Sequence, residues 1–577
     1  MASVYGKKIN GKTYYYLREM ARVDGKPKMV SERYLGSAAD IEAAIDGVQA
    51  GMVPDRTRHL RFGDVAAVWS LLSDLDVAGV IDDVVGARRS DAGASPGTYL
   101  ALAALGRLVE PGSKRVFANW WAATAADRFT RISASVLDHR KFWDAMHAVD
   151  ADMLQEISAR LTAAMIARFE LDLSSVALDM TNFATYIDTT NTKAPIAQRG
   201  KAKQKRKDLR LVGLGMVVTR AGGIPLAWHA YPGNRPDLTQ FPTLIDHLAA
   251  RFTHLTSTGA ATADGGDGQA PAPAMTVVFD AGQNSEANFA HLTGSGLHYV
   301  GSVPPSDCPD LLALPAAQRT PVDGFPGLSA IDTGRVVYGQ QRRVVLTHSE
   351  SLHADQARSF TGTTLAKAGR LLDELAATLA RGKTRRTRPA VETEIAAITH
   401  DRWLRRVIDI DLTGDTPAAH RLSWSVNKHK RLALENEVFG KRILLTDHDD
   451  WTMPDIVAAY RSQSEIEFGF RQLKDPHQVS FSPMFHWTEH NIAVHTFTCV
   501  LALQLAHLMR LTAHRAGHEM SVRAILDTLA GIGETVLLYP STGGRPKARR
   551  MTTDMTADQR ALYDLYDLHR WAPASTT

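Results

Sequence analysis

A chain of 577 residues is too long for one ordinary domain, and its apolar share of 44% is that of a soluble globular protein. Its 66 basic and 62 acidic residues leave a net charge of only +4, so any nucleic-acid surface must come from local clusters. Cys308 and Cys499 are the whole thiol complement, which excludes a disulfide scaffold and a zinc–thiolate centre and suits a reducing cytoplasm. No run approaches the apolar length of a membrane span and the first residues carry no apolar leader, so no membrane partner is expected.

Residues 1–57 read as a small basic β module. Strands are expected over 4–9, 12–17 and 28–35, with Asn10-Gly11 and Asp24-Gly25 as hairpin turns. Residues 58–170 are helical in pattern, with apolar i, i+3, i+4 spacing over 65–75, 99–108, 113–123 and 153–169. Arg107, Lys114 and Arg115 flank Pro111-Gly112 near Trp120 and Trp121. The tryptophans read as core anchors, and the basic turn suits a helical DNA-binding domain.

From 171 to 306 the pattern changes. A β-like run over 175–178 ends in Asp179, and strands over 211–218 and 224–231 follow, joined by a Gly-rich turn at 220–223. A helix over 238–252, a buried strand over 275–279 ending in Asp280, a helix over 284–292 and a strand over 298–300 complete this part. A meander followed by β-α-β alternation implies an α/β core, a mixed sheet with helices packed on it, and such sheets gather ligands at strand ends. Residues 198–210 hold seven cations and one acid, and lie between two strands of that sheet, which places Arg206, Lys207 and Arg210 near Asp179 for phosphate contact. Residues 257–274 have no large apolar side chain and read as a surface loop.

Residues 307–448 look like a β-rich insertion with one long helix. A hairpin is expected over 334–347, the helix over 356–380, a basic run over 381–388, and strands over 403–412, 422–426 and 441–445. The core resumes over 449–515. Residues 516–577 form a tail with a basic patch at 545–550 and a helix over 557–569, suited to dimerisation or DNA contact.

Residues 460–474 read as one helix, with Thr452 and Asp455 as a capping box upstream and Pro476 closing it. At about 100° per residue, with Tyr460 at 0°, Gln463 falls at about 300°, Lys474 at about 320°, Glu467 at about 340° and Arg471 at about 20°. Ile466, Phe470 and Leu473 form the apolar stripe beside them, and Glu465 points away toward solvent. Asp179, Asp280 and Glu467 together offer three hard oxygen donors, which suit Mg²⁺ or Mn²⁺, and two such ions support in-line phosphoryl displacement. Lys474, Arg471 and Tyr460 would then grip phosphates along a face about 21 Å long. His486, His490 and His495 lack a metal-binding spacing and read as packing or phosphate contacts.

These motifs resemble those of bacterial insertion-sequence transposases of the DDE type. The passages are 177–183 around Asp179, 278–282 around Asp280, and the helix in which Tyr460, Gln463, Glu467 and Lys474 occupy the slots of a Tyr-Arg-Glu-Lys signature. Further similar passages are Lys207-Asp208 with Arg210, Gly233-Asn234 with Asp237, and Pro483-Met484 with His486-Trp487. The resemblance implies a ribonuclease-H-like five-stranded mixed sheet flanked by helices, shared with retroviral integrases and interrupted by the insertion. It also implies a metal-dependent enzyme that binds the terminal inverted repeats of its element, cleaves there, and joins the ends to target DNA. Its partners would be double-stranded DNA and further copies of itself, as a dimer or larger synaptic complex at a bacterial nucleoid. The rivals are a catalytically silent DNA-binding protein and another nuclease of the same fold. One slot departs: Gln463 stands where the signature has arginine, and Arg471 is expected to take part of that role.

Overall fold

Three short strands open the chain: β1 (Ala2–Ile9), β2 (Lys12–Val23) and β3 (Lys26–Ser37), paired antiparallel in that order. Asn10 and Gly11 both take positive φ, 50° and 80°, as a tight primed hairpin turn requires. The structure, a computed structural model, describes residues 2–23, 26–86, 93–203, 206, 208–260, 275–383, 385–540 and 548–574, without the side chains at 23, 47–52 and 252–260. The Asp24-Gly25 turn therefore lies outside the described residues, as does most of the expected 257–274 loop, of which 257–260 belong to a helix. Strand β4 (Arg56–Arg61) leads into helices that include Pro96–Val109, Lys114–Ala122 and Ala151–Phe169.

The centre is a mixed sheet flanked by helices. It contains β5 (Ser175–Thr185), β6 (Arg210–Thr219), β7 (Pro225–Pro232), β8 (Thr276–Val278), β9 (His298–Val303), β10 (Thr320–Pro321), β11 (Leu328–Val337) and β12 (Gln340–Ser349). After a separate hairpin of β13 (Ile408–Thr413) and β14 (Arg421–Val426), the chain returns to it as β15 (Lys441–Thr446). The order is β10-β11-β12-β15-β9-β8-β5-β6-β7, with β5, β8 and β9 mutually parallel and the other neighbours antiparallel. The sheet thus has nine strands where five were expected. The difference lies at β9, whose outer edge would expose unpaired backbone groups; β15 covers it and carries β12, β11 and β10 with it.

The insertion is accordingly less a β domain than a helical one. Glu350–Ser359, a π-helical turn Phe360–Leu365 and Ala366–Ala380 run on from one another, followed by Arg388–Ile398 and Lys428–Val438. Residues 404–407, expected as strand, are a helical turn, Leu404–Val407.

One buried apolar cluster runs from Leu60 to Leu568, so the helical region, the sheet and the C-terminal segment share a core. At its middle lies Glu489–Arg515, packed against Pro96–Val109, Ala151–Phe169 and β7. This helix is long and apolar enough to span a membrane, contrary to the sequence reading, yet 94% of its apolar window is buried inside the protein. Truncating its fully buried Leu501 to Ala would cost about 2–5 kcal/mol. The tail does not stand apart. Its β16 (Gly533–Leu538) pairs with β4 on one side and β17 (Ala548–Thr552) on the other, and fully buried Glu534 takes Arg128 at 2.7 Å and Arg550 at 2.5 Å.

Candidate active site

Strand pairing alone brings the first two carboxylates together. In the parallel β5–β8 ladder Ala177 lies opposite Val278, so Asp179 and Asp280, each two residues further on, are level and on one face of the sheet. Asp280 stands just past the end of β8 and caps the turn Ala281–Gln283. Asp179 is not at a strand end: β5 continues to Thr185 because β6 pairs with it from Val176 to Thr185.

The two acids have different surroundings. Asp179 is partly buried and accepts the Met180 N–H at 2.7 Å. Burial first, then the Asp280 and Asp237 carboxylates, push its pKa up to about 6, against the opposing pull of Lys203. Exposed Asp280 accepts at Oδ1 from the Ala281 N–H and the Ser302 hydroxyl, both at 2.7 Å, and from the Tyr460 hydroxyl at 3.4 Å. Burial and the Asp280 charge raise the Tyr460 pKa.

The third carboxylate comes from a bent helical segment. Thr452 and Asp455 form the expected capping box, with Pro454 in the first turn. The single helix expected over 460–474 is two, Met453–Arg461 and Gln463–Lys474. They part at Ser462, whose hydroxyl donates back to the Ala459 carbonyl at 2.6 Å and competes with the helical backbone. The first helix packs on β9 and β15 and the second on β5, so the break lets each follow its own strand. Ile466, Phe470 and Leu473 are buried as the stripe required. Glu465 is not solvated but pairs with Arg510 at 2.5 Å.

Glu467 is exposed and lines, with Asp280, Tyr460, Gln463, Arg442 and Arg461, a cleft of about 580 Å³. Among the described residues, Asp179, Asp280 and Glu467 enter no ion pair. Asp179, Asp280 and Glu467 each offer hard oxygen donors of the type a divalent ion takes, but their carboxylate oxygens do not all lie within 4.8 Å of one another, and Asp179 is not among the residues lining the cleft. Asp280 keeps its Oδ2 free of the hydrogen bonds that fix Oδ1.

The other sequence-derived residues divide. Lys474 donates to the Thr181 hydroxyl at 2.6 Å; burial first, then Lys203, lower its pKa, while Asp179 opposes them. Gln463 lies in the cleft wall with its Nε2 buried and unpartnered. Arg471 is exposed and sits 5.7 Å from the Phe468 ring centre, away from the cleft residues. Arg210 donates to the Asn191 carbonyl at 2.7 Å and to that of Thr189, holding a loop. Arg206 pairs with Asp208 at 2.7 Å, and Lys207 lies outside the described residues.

Three side chains escaped the sequence reading. Ser302 fixes Asp280 from β9, and Arg442 brings its guanidinium to 5.7 Å from the Tyr460 ring centre. Lys203, within the basic run, pairs with Asp237 at 3.1 Å and also donates to the Met180 carbonyl. Of these only Lys203 carried a signal, its place in that run. The three histidines are packing groups. His495 is fully buried against the Phe481 carbonyl, His490 bonds the Met146 carbonyl at 2.7 Å, and burial beside Lys114 and Arg107 pushes His486 down to about 3. Trp121 is buried, and Arg107 donates to the Ser480 and Ser482 carbonyls.

No protein-family model and no curated protein matches the chain. Among solved structures it is similar to a piggyBac transposase in a synaptic complex with hairpin DNA, with 9% identity, 82% of each chain covered and a TM-score of 0.34. A likeness at that level carries no argument about mechanism.

Proposed function

We propose that the chain is a DNA transposase of the DDE type, a metal-dependent enzyme that cleaves DNA at the ends of its own insertion sequence and joins those ends to target DNA. The observation that carries this is the level placement of Asp179 and Asp280 on parallel β5 and β8, with Glu467 on the wall of the cleft that Asp280 lines. The strand order β9-β8-β5-β6-β7, antiparallel from β5 to β7 and parallel from β5 to β9, supports a ribonuclease-H-like core within the larger sheet.

Asp179, Asp280 and Glu467 would hold one or two Mg²⁺ or Mn²⁺ ions, which supply activation of the attacking oxygen and stabilisation of the leaving one. Ser302 and the Ala281 N–H hold Asp280 in one rotamer, which removes reorganisation from the reaction. Exposed Arg442 and Arg461 on the cleft wall give the DNA backbone cations to bind, and Lys474 and Lys203 set positive charge beside Asp179. Tyr460, bound to Asp280, orients that carboxylate in this arrangement rather than a phosphate. The partners on this reading are double-stranded element ends and target DNA, with two or more copies of the chain in a synapse on bacterial DNA.

The test is incubation of the purified protein with duplexes carrying the DNA that flanks its gene, in Mg²⁺. Nicked and strand-transferred products are expected from the wild type. Asp179→Asn, Asp280→Asn and Glu467→Gln should each stop chemistry while the duplex still binds. Full activity in any one of them removes that residue from the site, and no product from the wild type in Mg²⁺ or Mn²⁺ removes the proposal.

A further inference from the structure

The end of β8 and β9 remote from Asp280 gathers a second cluster. β15 runs antiparallel to β9 with Thr446 opposite Val300, so the chain leaving β15 passes Asp447 beside Tyr299 and His448 beside His298. In the parallel β8–β9 ladder Thr276 lies opposite His298. Thr276, His298 and His448 therefore form a row across three neighbouring strands at their shared edge.

The distances are those of a coordination site. His298 Nδ1 is 3.0 Å from Asp447 Oδ2, and one ligand atom from each of His298, Asp447 and His448 lies within 4.8 Å of the others. A tetrahedral ion with bonds of about 2.0–2.1 Å holds its ligand atoms roughly 3.3 Å apart, so the outer atoms close by at most about 1.5 Å on binding. Asp450 Oδ1 lies 3.6 Å from His448 Nδ1 but outside that group of three.

The surroundings fix these donors in advance. His448 Nε2 is 2.8 Å from the Thr276 hydroxyl, and with Nε2–H donating there, Nδ1 keeps its lone pair for an ion. Asp447 Oδ1 accepts the Tyr299 N–H at 2.9 Å, which leaves Oδ2 turned to His298. Trp451 stacks on the His448 ring at 3.8 Å and 9°. Arg343 donates to the carbonyls of His448 at 2.9 Å, Asp449 at 3.3 Å and Trp451 at 2.7 Å, and pairs with Asp332 at 2.6 Å. A turn held this firmly beside two imidazoles is preorganised in the manner of a metal site.

We propose that His298, Asp447 and His448 bind one transition-metal ion of the zinc class, separate from the Asp179–Asp280–Glu467 site. Two imidazoles and one carboxylate, with a fourth position left to water, suit Zn²⁺ or Co²⁺ rather than Mg²⁺. The ion pins the start of β9 to the turn that enters Met453–Arg461, the helix that carries Tyr460 to Asp280. Its role is structural support of that helix.

The experiment uses the full chain carrying Asp179→Asn, Asp280→Asn and Glu467→Gln, stripped with a chelator and titrated with Co²⁺ in the visible range, then with competing Zn²⁺. One equivalent of Co²⁺ with a tetrahedral spectrum, displaced by Zn²⁺, is expected. Adding His298→Ala with His448→Ala should weaken binding at least about a hundredfold, and Thr276→Val about tenfold. Should the double histidine variant fail to fold, Asp447→Asn at an exposed position serves instead, with at least a tenfold loss expected. Absence of a Co²⁺ spectrum, or one unchanged by these substitutions, overturns the proposal.

Discussion

The two ends of β8 and β9 differ in what they do with their polar groups. Toward the C-terminal end of β8, the chain sets Asp179 and Asp280 level on neighbouring strands, without an ion pair among the described residues. At the other end Asp447 accepts from Tyr299 N–H and lies 3.0 Å from His298, while His448 is bonded to Thr276 and stacked on Trp451. In the first arrangement burial, with the Asp280 and Asp237 carboxylates nearby, penalises the ionised Asp179, and a divalent ion or a proton relieves that penalty; in the second the donors are held in place by their neighbours. On the proposed readings, the contrast is between a site for reaction and one for holding shape.

The largest effect expected is on chemistry. Asp280→Asn should lower strand cleavage by at least about a thousandfold, measured as single-turnover nicking, while His448→Gln lowers it by less than about tenfold. Equal losses at the two ends would erase the distinction. Ser302→Ala comes next, with roughly a tenfold to hundredfold loss in rate and DNA affinity unchanged, because only the orientation of Asp280 is released.

Asp179 gives a pH signature in metal-free protein. Its folded pKa, about 6 against an ordinary 3.8, is raised, so the carboxyl favours the folded state fully below pH 4 and loses that contribution as pH rises through 6. A rise from 3.8 to about 6 bounds the penalty at about 3 kcal/mol, and partial exposure reduces it to about 1–2 kcal/mol. Asp179→Asn should therefore raise the melting temperature at pH 7 and leave it nearly unchanged at pH 4, by calorimetry with chelator present. Equal shifts at both pH values would mean that burial does not penalise the ionised Asp179.

Smaller effects sort the cations. Arg442→Ala and Arg461→Ala should each weaken duplex binding and reduce the slope of log affinity against log salt by about one. Arg471→Ala should change cleavage less than about twofold, since its guanidinium lies by Phe468. A loss at Arg471 as large as at Arg442 would restore Arg471 to the phosphate-gripping role that the helical wheel assigns it.

What could be read in the sequence was local. The apolar stripe of Ile466, Phe470 and Leu473, the Thr452–Asp455 cap and the hydrophobic run before Asp280 each announce themselves within a few residues. The continuation of β5 beyond Asp179 was hidden because Met180–Thr185 is strand only through its pairing with β6. The nine-stranded sheet was hidden likewise, since the alternation of β11 and the apolar runs of β12 and β15 read the same whether they build a separate domain or extend an existing edge. The break at Ser462 depends on one hydroxyl and on two strands that diverge beneath it. Ser302, Arg442 and the His298–Asp447 pair, 149 residues apart, join only when strands pair, so no spacing marks them.

The measurement that bears most directly on this account is Mn²⁺ binding, followed by calorimetry with proton release near pH 6. In the His298→Ala/His448→Ala protein, binding should survive, with a proton displaced from Asp179 as the ion enters. With Asp179→Asn and Asp280→Asn added to that same protein it should disappear. Mn²⁺ binding that persists undiminished without the two aspartates would contradict the placement of the reactive metal site at the end of β8.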